Sequence, residues 1–187
     1  MSSSSELPPL STGLRVLILL LVLHLLLLCT QTWAVWDYDL MASFKLQEPR
    51  SMADEAVVQS NRAVGLADTI IMIPLSLMAI VGLSSKQFYG VVTSWMLLGI
   101  ALYWPVVYVM SRITYASGDI EHVPLGVQDI SVCSVVFLFG CWGSWLLCRS
   151  PELLLWWKKD FPEETTKEIL KDLVGEQTPL IGEPIEC

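Results

Sequence analysis

Histidine, asparagine and charge are all scarce in this chain, and each scarcity removes a class of function. With His24 and His122 the only histidines, a histidine metal site or a serine–histidine nucleophile pair has little material. Asn61 is the single asparagine and stands in "NRA", so there is no N-glycosylation sequon. The five cysteines (Cys29, Cys133, Cys141, Cys148, Cys187) avoid the stretches that connect the apolar runs, and no disulfide framework is expected. HExxH, GxSxG, P-loop, CxxC and GxGxxG patterns are absent, which leaves no recognised catalytic motif and neither a cofactor nor a metal to expect. Only 16% of residues are charged, and a net charge of −8 without a basic-aromatic platform argues against nucleic acid as a partner.

What fills the chain instead is apolar. Of its 187 residues 53% are hydrophobic and the mean hydropathy is +0.56, values foreign to an ordinary soluble domain. Uninterrupted apolar runs occur at 14–36, 64–83, 88–110 and 130–148. As helices such runs reach roughly 28 to 35 Å, enough for a hydrocarbon core of about 30 Å. The sequence therefore predicts an all-α integral membrane bundle of four transmembrane helices in contact with the lipid bilayer.

The remainder divides into a disordered N-terminus (1–13), an outer loop (37–63), a turn (84–87), a second outer loop (111–129) and a tail. Ser51 and Asp54 resemble a capping arrangement, so the second helix is expected to begin near Met52 as an outer helical extension. In the tail, "ELLLWWKK" has the pattern of a segment lying at headgroup level. Asp160 is then placed to cap a helix with Pro162 in its first turn, giving an interfacial and amphipathic stretch over 149–175 and a disordered end at 176–187.

The first run also fits a signal peptide, with Arg15, an apolar stretch at 16–29 and "TQTWA". Its continuation through Trp33 and Trp36, indoles suited to the interfacial belt, favours a retained anchor. With four crossings both termini share a side, which carries seven Lys and Arg residues against four (Lys45, Arg50, Arg62, Arg112) on the other. That balance places both termini in the cytoplasm, although Arg62 and Arg112 lie close enough to the outer ends to count against it.

The first span is nearly all leucine, whereas spans two to four mix polar, small and aromatic residues and form the expected working core. His24 is expected to be neutral and hydrogen-bonded to a neighbouring helix. Gly140 and Ser144 in "FGCWGSW", and Gly99 on the third span, mark close helix approaches. Asp68 lies four residues inside the second span, at the outer lip, with Pro74 breaking the helix hydrogen bond to Ile70 beneath it. Counting inward from the outer ends brings Asp68, Thr69, Met72, Tyr103, Trp104, Tyr108, Asp129 and Ser131 to similar depth. These eight are candidate lining residues of a ligand cavity with carboxylates at its mouth and aromatics on its walls. The alternative is that the aromatics form an interfacial belt and the acids mark helix ends.

"ADTIIMIP", an acid six residues before a proline near the outer start of the second of four helices, together with an acidic loop before the fourth helix and "CRSP" after it, resembles the EXPERA group of sterol isomerases and sigma-type receptors. The likeness covers residues 64 to 151. It implies a sterol-like ligand, with Asp68 alone matching an acidic position of the ligand cavity. The first helix departs from the group, since the further acid and histidine of its catalytic members have no aligned counterpart.

Three functions remain open on sequence grounds. The leading one binds a lipid-like or small hydrophobic molecule, or a membrane-protein partner or second copy, without clear catalytic machinery. The others are a lipid or sterol isomerase-like enzyme using Asp68 and a subunit of an ion- or proton-coupled transporter.

Overall fold

A computed structural model describes residues 9–161. Its helices are α1 (Thr12–Trp36), α2 (Tyr38–Ser43), α3 (Glu55–Ser84), α4 (Phe88–Ser117), α5 (Val127–Arg149) and α6 (Glu152–Asp160), with a 3-10 turn at Arg50–Met52 and no strand among the described residues. Four of them, α1, α3, α4 and α5, are long and apolar enough to cross a membrane. The chain is thus an all-helical, multi-pass membrane protein. Consecutive long helices alternate in direction, so the loops after α1 and α4 share one end of the bundle, here the loop end. The opposite, tail end carries the α3–α4 turn and α6.

The helices outrun the apolar stretches. The extension before the second span starts at Glu55, where Asp54 caps it by accepting a hydrogen bond from Ala56 N–H at 2.7 Å. The third span continues to Ser117 rather than stopping at 110. At the start of α1, Ser11 accepts from Leu14 N–H, so helix already includes part of the stretch expected to be disordered. The expectations for 1–8 and 162–187 lie outside the described residues.

Large apolar side chains face outward along all four spans, among them Leu19, Ile70, Tyr103 and Leu138, as lipid-facing helices require. The interior is held by a cluster including Leu14, Leu17, Leu21, Leu83, Leu97 and Leu98. α1 packs along α3, α3 on α4, and α4 on α5. Glycines set the closest approaches. A Cβ on Gly82 or Gly90 would strike the backbone of the other helix, so α3 and α4 meet backbone to backbone just above their turn. Gly140 and Gly143 admit Leu102 and Leu98 of α4, and Gly65 lies against Gln31 and Val35 of α1. Gly99 differs from expectation, because a Cβ there would meet nothing within 4 Å. It faces open space rather than a helix.

At the tail end α6 folds back beneath the bundle. Leu153 and Trp156 enter the main core, while Leu155 and Trp157 remain exposed. Trp157 and Phe161 stack at 4.4 Å between centroids, and both meet Phe88 edge-on. Gln87, the residue before α4, offers no side-chain cap to it. Asp160 supplies one from 72 residues further along the chain, its Oδ2 accepting from Phe88 N–H at 2.7 Å. With the Gln87 amide oriented to satisfy both neighbours, its nitrogen donates to Asp160 Oδ1 and its oxygen accepts from Lys159 Nζ, each at 3.2 Å. Asp160 is therefore a cap for α4. Its substitution by alanine is expected to cost about 1 kcal/mol, measured as a lowered unfolding temperature in detergent, whereas asparagine retains most of the stability.

Candidate functional site

Two polar clusters lie toward the loop end, and they are built on different helix pairs. The first begins at the turn after α1. Asp37 accepts from Leu40 N–H at 3.0 Å and starts α2, which brings Tyr38 and Met41 into a small core with Ala34, Ala53, Val57, Val58 and, at its edge, Tyr115 and Ile120. Beside this core Arg112 is buried on α4 and pairs with Glu48 from the first loop. Glu48 uses its other oxygen to accept from Val123 N–H of the second loop at 3.2 Å. Arg112 also donates to the Tyr108 hydroxyl at 3.2 Å, and Tyr108 donates to Asp129 at 3.1 Å. Asp129 in turn accepts from Gly126 N–H at 2.8 Å and caps α5.

The spacing of this first cluster is helical. Trp104, Tyr108 and Arg112 stand four apart on one face of α4, so Trp104 stacks on Tyr108 at 5.3 Å and the Arg112 guanidinium lies 4.9 Å from the Tyr108 ring centre. Every carboxylate oxygen of Glu48 and Asp129 has a partner within this network. The cluster ties both loops to α4 and α5, and the protein's own donors meet both of its acids.

The second cluster sits between α1 and α3. Pro74 has no N–H to give the Ile70 carbonyl, and its ring crowds that oxygen. The chain responds with a wide π turn over Asp68–Met72, in which Ile73 N–H donates to Asp68 O, five residues back. This replaces the simple proline kink read from the sequence. The π segment packs on α1. Thr69 donates to Gly65 O at 2.7 Å and lies 2.9 Å from the Thr32 hydroxyl, which donates to Leu28 O at 3.1 Å. Asp68 is half-buried, and its carboxylate has no hydrogen bond or ion pair among the described residues.

The eight residues expected to line one cavity are thus distributed. Trp104, Tyr108 and Asp129 come together at the α4–α5 end. Asp68 and Thr69 are beside α1, and Met72 is in the main core. Tyr103 is 69% exposed on the outer face of α4. Ser131 is exposed and spends its hydroxyl on Val127 O of its own helix at 2.7 Å. A shallow depression of about 320 Å³ follows α4 along Val106, Val107, Met110, Ser111, Thr114 and Tyr115, and none of the eight lines it.

Sequence reasoning missed Glu48, Arg112 and Thr32 as members of these clusters. The four-residue spacing of Trp104, Tyr108 and Arg112 was a usable signal for Arg112; Glu48, in "KLQEPR", offers none. His24 does not make the expected hydrogen bond: its buried Nδ1 has no partner among the described residues, and its ring meets Phe139 edge-on at 6.0 Å. No group of three or more His, Cys, Asp or Glu side chains placed to hold a metal occurs among the described residues. No family model, curated protein or solved structure matches the chain.

Proposed function

We propose that this protein binds a membrane-resident hydrophobic molecule carrying a hydroxyl or amine head, with Asp68 as the acceptor for that head and without catalytic turnover. The observation that carries the reading is the unpaired, half-buried carboxylate of Asp68 within a membrane-spanning helix, at a π turn. Glu48 and Asp129, the acids of the neighbouring loop-end network, are met by the protein's own donors, whereas the Asp68 carboxylate is not. A carboxylate inside a span is costly unless it is paired or hydrated, and π turns recur at functional positions. A donor from a ligand head would remove that cost. Thr69, the next residue, and Thr32 of α1 place two further hydroxyl oxygens in the same stretch of the α1–α3 contact. The EXPERA resemblance, in which Asp68 matches a ligand-cavity acid, gives a sterol-like molecule as the class to try first.

The test is labelling of the full-length protein in nanodiscs by a photoactivatable sterol analogue, wild type against Asp68→Asn. Labelling at peptides containing α3 is expected to fall about tenfold, as loss of one hydrogen bond to a charged group implies. Equal labelling of the two proteins overturns the reading. Conversion of the analogue dependent on Asp68 replaces it with the isomerase reading, and pH-dependent ion flux lost in Asp68→Asn replaces it with the transporter reading.

A further inference from the structure

The tail end of the bundle carries exposed cations that outnumber the acids beside them. Arg15 lies in the first turn of α1, Arg149 ends α5, and Lys158 and Lys159 stand in the last turn of α6; all four are exposed. Gly13 lies against Leu146, which brings the Arg15 and Arg149 ends of α1 and α5 together. The Phe88–Trp157 contact sets the two lysines beside the start of α4. Among the described residues the acids of this end are Glu152 and Asp160. Asp160 is occupied by Phe88 N–H and the Gln87 amide, and Oε1 of Glu152 is buried. Four exposed cations against two acids, neither of them exposed, leave this end net positive among the described residues.

The apolar groups beside these cations fit the same environment. Leu155 and Trp157 are exposed on α6 next to Lys158 and Lys159, and Arg149 lies 5.3 Å from the centre of the outward-facing Trp145 ring. Side chains with an apolar stem and a charged tip, set next to exposed leucine and tryptophan, match the headgroup layer, where the stem meets acyl chain and the tip meets phosphate. We propose that this collar is a binding surface for anionic phospholipid headgroups in the leaflet on the tail side. Charge complementarity selects an anionic over a zwitterionic lipid, because both carry a phosphate but only the former has net charge to offer.

The proposal is tested by electron paramagnetic resonance on the full-length protein reconstituted in phosphatidylcholine bilayers. Association of spin-labelled phosphatidylglycerol is compared with that of spin-labelled phosphatidylcholine. Wild type is expected to prefer the anionic label. The triple substitution Arg149→Gln, Lys158→Gln, Lys159→Gln is expected to lower that preference by roughly two- to fivefold per cation removed, and added salt to weaken it in wild type. Lys45→Gln at the loop end is expected to leave it unchanged. Equal association of the two labels with wild type overturns the proposal, including the case in which the seven acids beyond residue 161 neutralise the collar. A preference that survives the triple substitution also overturns it. Should that variant aggregate, the salt titration of wild type decides, and a preference indifferent to salt is the negative result.

Discussion

Replacing Arg112 with alanine is expected to destabilise the protein by about 3 to 5 kcal/mol, the range for breaking a buried ion pair from one side. The Arg112 and Glu48 side chains are only 6% and 12% exposed. Removing the guanidinium strands the Glu48 carboxylate with one backbone donor, Val123 N–H, and withdraws the donor from the Tyr108 hydroxyl. The loops stay joined to each other but lose the tie to α4 that runs through Glu48. The measurement is thermal unfolding in detergent, followed by tryptophan fluorescence. The decisive comparison is the pair Glu48→Gln with Arg112→Met, which removes both charges and keeps most of the volume. It is expected to be clearly more stable than Arg112→Ala, because the penalty in the single variant is the uncompensated acid rather than the lost attraction. A single variant as stable as wild type would show that water reaches Glu48 freely.

Gly90→Val is expected to be at least as damaging. A Cβ at residue 90 points into the backbone of Gly82 and Leu83, and backbone cannot move aside as a side-chain tip can. The cost lies at or above the upper end of overpacking, about 3 kcal/mol, and the expected readout is loss of a monodisperse peak in size-exclusion chromatography. Gly99→Ala is the matched control, since open space receives its methyl group. Alanine removes the backbone freedom that glycine brings to a helix interior, so this variant is expected to be neutral or stabilised by up to about 1 kcal/mol. If both variants behave alike, the α3–α4 contact does not govern assembly.

The four spans were readable because lipid imposes one demand over some twenty residues, and hydropathy averages over that length. The loop-side end of the third span was not, because helical hydrogen bonding does not stop where apolar side chains do. In α4, Ser111 and Thr114 donate back to Val107 O and Met110 O, and the helix continues through them at no polar cost. Asp68 and Pro74 stood out as anomalies in the sequence. The π turn did not, since a missing N–H states that the helix must give way but not in which direction.

Arg112 marks the clearest boundary of sequence reading. As a letter it counts as one cation near a membrane edge, and so does Arg62. In the fold Arg112 is matched by an acid 64 residues earlier, and Arg62 donates to Val35 O at 3.0 Å. Such pairings have no period and leave no trace in local composition. The candidate ligand site divided for the same reason: depth along a helix can be counted from the sequence, but the direction a residue faces depends on which neighbour its helix meets.

The cap that Asp160 places on α4 also has a meaning in time. Chains enter the membrane from the N-terminus, and the Asp160 carboxylate is synthesised 72 residues after the Phe88 amide it binds. Throughout that interval the start of α4 lacks its terminal acceptor, and the Phe88 ring lacks Trp157 and Phe161. The start of α4 therefore stays uncapped until α5 and α6 have been made, so a contact beside the α3–α4 turn waits on a segment that follows the fourth span.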